Sequence, residues 1–166
     1  MEWAFVGLGV GLVGVLAWLI WMAAGGRDAA GDGRLPYVLR ESLLTRGERA
    51  FHGALCEAVG EGRVVMVQVR LADVVTVPAG TPEWRAYFNK TSQKSLDFVV
   101  CERETLRPVA AVELDDRSHG RASRRAADAV KEAVLEAAGL PLVRVSARRG
   151  YDVGALRGWL AEAGVG

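Results

Sequence analysis

SLDFVVCERETLRPVAAVELDD, Ser95 to Asp116, decides the fold of this chain. Two apolar runs, Ser95–Cys101 and Pro108–Leu114, flank the polar stretch ERETLR. Short Val-rich runs bounded by turn residues read as strands, and this pair reads as a β-hairpin. The second strand then runs into Glu113, Asp115 and Asp116, with His119 three residues on. Carboxylates crowded at the end of a buried strand repel one another, and burying their charge is costly unless a cation sits among them. If Cys101 or Glu102 faces Pro108 across the turn, Asp97 falls opposite Glu113 to within about one residue, and such cross-strand neighbours lie roughly 5 Å apart. Side chains alternate along a strand, so Glu113 and Asp115 share a face. Asp97, Glu113 and Asp115 therefore converge at one end of the sheet. Oxygen ligands of this kind suit a hard divalent cation, Mg²⁺ or Mn²⁺. Such a cation activates water and neutralises charge building on a phosphodiester oxygen. The alternative is that the aspartates are solvated strand-end residues and Glu113 is paired to an Arg; spacing alone leaves both open.

Working outward, Thr45 and Glu48 form a T-x-x-E capping box at the start of a helix over Thr45–Val59. Phe51, Leu55 and Val59 supply its apolar stripe. Arg63–Val77 reads as one long strand or two short ones, and its poor alternation from Met66 to Arg70 suggests burial on both faces. Thr81–Lys94 is polar with Trp84, Tyr87 and Phe88, a short helix and loop. After the hairpin, Ser123–Ala138 reads as a helix with a buried stripe of Ala126, Val130, Ala133, Val134 and Ala137, closed by Gly139 and Pro141. Leu142–Ser146 is a strand and Asp152–Ala163 a last amphipathic helix. The order α-β-β-β-α-β-α predicts an α/β domain, a small mixed sheet flanked by helices.

Charge reverses around the acidic cluster. Arg117, Arg121, Arg124 and Arg125 follow it closely, and Arg144, Arg148 and Arg149 come later. Arg124 and Arg125 fall in the first turn of their helix, the unfavourable end for cations. Phosphate contacts would explain that placement; an ordinary Arg124–Asp128 pair and a solvated surface would also. The formal net charge of +1 excludes a strongly basic nucleic-acid coat, so any such binding is local.

The 166 residues suffice for one domain and an appendage, and the 51% hydrophobic content is unevenly spread. Trp3 to Ala24 contains no charged residue. Roughly 20 apolar residues cross a bilayer core, and Trp3, Trp18 and Trp21 mark its two ends as interfacial aromatics do. A cleaved signal peptide would have a positive start and a shorter apolar run, whereas this segment opens with Glu2. Residues 1–24 are therefore expected to be a single transmembrane anchor, 25–34 a Gly/Ala/Asp linker and 35–166 the folded domain. All 21 Lys and Arg follow the apolar run, which places the domain in the cytoplasm, on the inner side of the cytoplasmic membrane. Gly7, Gly11 and Gly14 share a helix face, a small-xxx-small pattern that would suit a homodimer. Cys56 and Cys101 fit a reducing compartment and read as two buried thiols rather than a disulfide or metal pair.

The run NKTSQKSLDFVVCERETLRPVAAVELDDRSH, followed by a helix and AGLPLVRVSA, closely resembles a bacterial family of unknown function numbered 2726. That family is placed in the PD-(D/E)XK, or restriction-endonuclease-like, nuclease superfamily, whose core order is αβββαβ. The resemblance spans about Leu35 to Leu160. It implies that Asp97 is the signature metal ligand of the second core strand and Glu113 the second ligand. Glu48 matches the helix carboxylate that often completes such a site, a role it would share with or yield to the capping box. Asp115 stands where the superfamily usually has the Lys that orients the attacking water. Lys94, Gln68 or Lys131 would then substitute, or Asp115 would itself ligate a metal. His119 is a candidate general acid/base or phosphate contact, and Arg121, Arg124, Arg125 and Lys131 are candidate nucleic-acid contacts.

The reading implied is a membrane-anchored, Mg²⁺-dependent nuclease acting on nucleic acid, DNA foremost. Its rival is a catalytically silent nuclease-fold domain that binds nucleic acid or protein at the membrane. A purely structural domain is the third reading. Whether a lysine amine reaches the Asp97–Glu113 pair separates the first two.

Overall fold

The computed structural model describes residues 35–115 and 122–165. The anchor expected over 3–24, with its glycine face, and His119 and Arg121 lie outside the described residues, as do the side chains of Arg124 and Arg125. Among the described residues no helix is long and apolar enough to cross a membrane. The chain divides after Arg40, and the unit Glu41–Gly166 carries the regular structure described below.

Its elements are α1 (Arg46–Val59), β1 (Arg63–Arg70), α2 (Leu71–Val74), α3 (Trp84–Ser92), β2 (Ser95–Glu102), β3 (Pro108–Asp115), α4 (Ala122–Ala137), β4 (Leu142–Ser146) and α5 (Val153–Glu162). The four strands form one sheet in the order β1-β2-β3-β4. The first two pairings are antiparallel and β3–β4 is parallel, as a strand–helix–strand connection through α4 requires. The result is a mixed α/β domain, as the order of elements implied.

Local chemistry explains the boundaries. The Thr45 hydroxyl accepts from the Glu48 N–H and the Glu48 carboxylate accepts from the Thr45 N–H, so the capping box is formed. Helix α4 ends in a Schellman motif: Gly139 sits at φ +69°, its N–H bonds to the Glu136 carbonyl, and the Leu140 N–H bonds to the Leu135 carbonyl. Glycine fits there because the left-handed region strains residues bearing a Cβ.

Two cores sandwich the sheet. On one face Phe51 and Leu55 of α1 and Leu156 and Leu160 of α5 pack on Phe98, Val100, Ala110, Val112 and Val145. On the other, Leu71 and Leu135 pack on Leu96, Val99, Cys101 and Ala111. Neighbouring residues such as Val99 and Val100 serve opposite cores, as the pleat dictates.

Four expectations are corrected. The long strand after Arg63 stops at Arg70, and Leu71–Val74 forms a helical turn whose Leu71 is fully buried. Strand β1 is not buried on both faces: it lies at the sheet edge, and Met66 is exposed. The buried stripe of α4 is rotated, with Leu135 fully buried and Ala133 and Ala137 exposed. That rotation turns Lys131, one helical turn before Leu135, toward the sheet. Cys101 is buried, whereas Cys56 is exposed on α1, with its Sγ 3.4 Å from His52 Nε2. Helix α1 buries the face bearing Phe51, Leu55 and Ala58, and Cys56 falls off it.

Phe51 is the centre of the first core, edge-on to Phe98 at 5.2 Å and to Tyr151 at 4.8 Å between ring centres. Replacing a buried Phe by Ala costs about 3–5 kcal/mol. Phe51→Ala is therefore expected to lower the denaturant midpoint by that equivalent, and an unchanged midpoint would refute this packing.

Candidate active site

The pleat of β1 and β2 breaks beside the acidic cluster, apart from the register shift between β2 and β3 at Val100/Cys101. Val67 pairs with Phe98 and both belong to the first core; Val69 pairs with Leu96 and both belong to the second. Residues two apart on a regular strand share a face, so both strands switch faces across the position between them. That position is occupied by Gln68 on β1 and Asp97 on β2. Gln68 has φ +51°, the left-handed region, and is skipped in the ladder. Non-glycine residues held in that region carry strain and cluster at functional sites.

Asp97 also ends the pairing of β2 with β3. The ladder's last pair here is Phe98–Val112, so continuing the register sets Asp97 opposite Glu113, as the hairpin reading implied. There the backbones give way to a side chain: the Leu114 N–H donates to Asp97 Oδ2 at 2.9 Å. On its other edge β3 stays paired with β4 from Ala111–Leu142 through Glu113–Arg144 to Asp115–Ser146.

Glu113 is only 7% exposed. Lys131 reaches it from α4, with Nζ 2.8 Å from each Glu113 carboxylate oxygen and a third bond of 3.2 Å to the Ser95 carbonyl. All three ammonium protons thus have acceptors. Asp115, half-buried, pairs with Arg144 at 3.3 Å. Glu48 faces the site from α1 and accepts from Gln68 Nε2 at 3.3 Å, so the strained residue holds the helix carboxylate.

Burial, opposed by the Leu114 N–H and by Lys131, pushes the Asp97 carboxyl above the usual carboxylate range, and the neighbouring charges of Glu48 and Asp115 add to the rise. Burial likewise raises Glu113; Lys131 opposes this and Asp97 reinforces it. Glu48, Asp97, Glu113 and Asp115 therefore form one electrostatic neighbourhood with Lys131 and Arg144 as its cations.

Among the described residues, Glu48, Asp97, Glu113, Asp115 and Lys131 are brought together. Lys94 is the exception: it offers its backbone, accepting from the Leu71 N–H, while no ion pair takes its amine to Asp97 or Glu113 among the described residues. One participant had a weak sequence signal: Arg144 looked like one basic residue among several. Gln68, a sequence candidate for the place of the usual lysine, holds Glu48.

The hard oxygen donors fit Mg²⁺ or Mn²⁺ in kind. In this arrangement Glu113 and Asp115 are engaged by cations, and among the described residues no three His, Cys, Asp or Glu side chains are grouped as a metal cage.

The chain matches, over residues 40–163, the family described as a protein of unknown function (DUF2726), and it belongs to that family. No curated protein matches it, and no solved structure does.

Removing one partner of a buried ion pair costs about 3–5 kcal/mol, because the other charge is left uncompensated. Lys131→Met is expected to destabilise by that order at neutral pH, and Glu113→Gln/Lys131→Met to recover most of the loss in a denaturant titration. Additive losses would show that the pair is uncoupled.

The raised carboxyls set a pH dependence. A folded carboxyl pKa above its unfolded value means the native state holds more protons, so this contribution to stability is complete below about pH 4 and declines as pH rises through the raised values. Asp97→Asn keeps an acceptor for the Leu114 N–H and removes the charge. It is expected to raise the melting temperature at neutral pH and to flatten the decline between acid and neutral pH; a lower melting temperature at neutral pH would contradict the electrostatic account.

Proposed function

We propose that this chain is a nuclease-like, metal-dependent phosphodiester hydrolase of the PD-(D/E)XK type, anchored in the cytoplasmic membrane by residues 3–24 with its domain in the cytoplasm. The observation that carries this reading is the Lys131 amine 2.8 Å from Glu113 and beside Asp97. The ELD run puts Asp115 where a lysine is usual, and α4 supplies an amine to the same carboxylate pair from another direction.

Asp97 and Glu113, with Glu48 or Asp115, would hold Mg²⁺ or Mn²⁺; the bound cation would supply Lewis-acid activation of water and neutralise charge on the scissile phosphate. Lys131 opposes the effect of burial on Glu113, and it would orient an attacking water by exchanging one of its three present bonds, to Glu113 or to the Ser95 carbonyl. Gln68 fixes Glu48 at the rim of the site. Arg121, Arg124 and Arg125 are proposed phosphate contacts and His119 a proposed acid/base group. A homodimer through the glycine face of the anchor belongs to the same reading.

One observation favours the silent alternative. Lys131 and Arg144 already pair with Glu113 and Asp115, so two of the site's four carboxylates have a cation without a metal. A domain that had lost catalysis would keep these pairs as structural ties and bind nucleic acid or protein.

The test uses the full chain extracted from carbonate-washed membranes, where the anchor would retain it; a chain that washes off lacks that anchor. Mn²⁺ and Mg²⁺ are titrated by calorimetry, and labelled plasmid and oligonucleotides are added to the same samples. Wild type is expected to bind metal and cut, Asp97→Asn to do neither, and Lys131→Met to lose cutting by about 10²-fold or more, the scale of a positioned proton-transfer group, while Lys131→Arg restores part of it. Metal binding without cutting supports the silent domain, and absence of metal binding refutes the metal site.

A further inference from the structure

Helix α3 presents an aromatic and basic surface that the acidic site does not use. Trp84 is 41%, Tyr87 48% and Phe88 38% exposed. The Trp84 and Phe88 rings stack, 5.0 Å between centres and 8° from parallel. Trp84 is held in place by its Nε1–H, which donates to the Val77 carbonyl at 3.0 Å. Lys90 Nζ lies 5.0 Å from the centre of the Tyr87 ring. From Thr81 to Ser95 the cations Arg85, Lys90 and Lys94 face a single carboxylate, Glu83.

Beside this helix is an apolar cavity of about 250 Å³, lined among others by Val75, Val77, Tyr87, Lys90, Val134 and Ala137. Val134 is three residues beyond Lys131, so the cavity and the carboxylate site adjoin along α4. From the other side, Lys94 lies three residues before Asp97 on the same run of chain.

Exposed aromatic rings interleaved with cations match one ligand chemistry well: unpaired bases, which stack, on a phosphate backbone, which needs positive charge. Bases within a duplex are already stacked and cannot offer their faces. A lipid surface fits less well, because interfacial helices bury a broad apolar face, and α3 has nine residues with Thr91 buried beneath it.

We infer that α3 and its cavity bind single-stranded nucleic acid, with bases on Trp84–Phe88 and Tyr87 and phosphates on Arg85, Lys90 and Lys94. The inference deepens the nuclease reading and rests on it for the strand's path toward Asp97 and Glu113. The binding itself requires no metal and no cleavage.

The experiment follows the anisotropy of a fluorescein-labelled oligothymidylate against the full chain in mild detergent and EDTA. Wild type is expected to bind the single strand at least about tenfold more tightly than a duplex of equal length, and Trp84→Ala or Tyr87→Ala to weaken that binding by about tenfold, the scale of one base stacked on an aromatic ring. Trp159→Phe, on α5, is expected to leave it unchanged. Arg85→Gln/Lys94→Gln, which touches neither ring nor core, is expected to reduce the salt dependence of binding. Equal affinity for single strand and duplex, or indifference to both the ring and the charge variants, overturns the inference. Loss of binding to phosphatidylserine vesicles, or of self-association, in those variants without loss of oligonucleotide binding assigns the surface elsewhere and also overturns it. A chain that binds through α3 but does not cut with Mg²⁺ or Mn²⁺ refutes hydrolysis alone; one that cuts with binding indifferent to α3 refutes this inference alone.

Discussion

The ion pair between Lys131 and Glu113 is the constraint around which the domain is arranged. A carboxylate only 7% exposed beside a second, half-buried one cannot keep its charge without a cation in contact. Meeting that need turns α4 so that a lysine faces the sheet and alanines face outward. The same rotation seats Leu135 in the second core, between the sheet and α2. Helix orientation, core composition and site electrostatics are thus set by one contact.

The sheet yields at the same place. Asp97 replaces a backbone acceptor with its carboxylate, so the Leu114 N–H stays satisfied where β3 parts from β2 and keeps only its pairing with β4. Gln68, across from Asp97, takes a left-handed backbone and switches β1 between cores. A regular strand would keep its period of two and bury one face throughout. Here the irregularity lets Glu48, Gln68, Asp97, Glu113 and Asp115 meet at one sheet end. Strain of about 1–3 kcal/mol at such a residue survives only where surrounding packing enforces it, and the two cores on either side of Gln68 supply that enforcement.

This architecture also gives the run Glu113-Leu114-Asp115 a physical sense without a lysine in it. Asp115 is matched to Arg144 on the neighbouring parallel strand, and the lysine arrives from the following helix. Each of these two carboxylates thereby has a cation from a different neighbouring element. The aromatic face of α3 lies outside this balance and adjoins it through Lys94 and through the shared turn of α4.

Much of this was legible in the residues. The hairpin that sets Asp97 against Glu113 follows to within one residue from two Val-rich runs of equal length around a short turn, and the register shift at Val100/Cys101 supplies that residue. The Thr45–Glu48 capping box and the Gly139 stop are local, and local chemistry determines them whatever surrounds them. The end of β1 at Arg70, its place at the sheet edge, the exposure of Cys56 and the outward turn of Ala133 and Ala137 were not legible, because each depends on which element packs against which. Lys131 was one of three residues, with Lys94 and Gln68, read as candidates to stand beside the carboxylates. Only the packing of α4 on the sheet chose it, since a contact between residues 18 apart in sequence is decided by the geometry of the helix crossing and not by spacing along the chain. The sequence alone determined the elements and the acidic sheet end. Tertiary structure decided how that charge is balanced, because a buried carboxylate takes its partner from whichever element the cores place beside it.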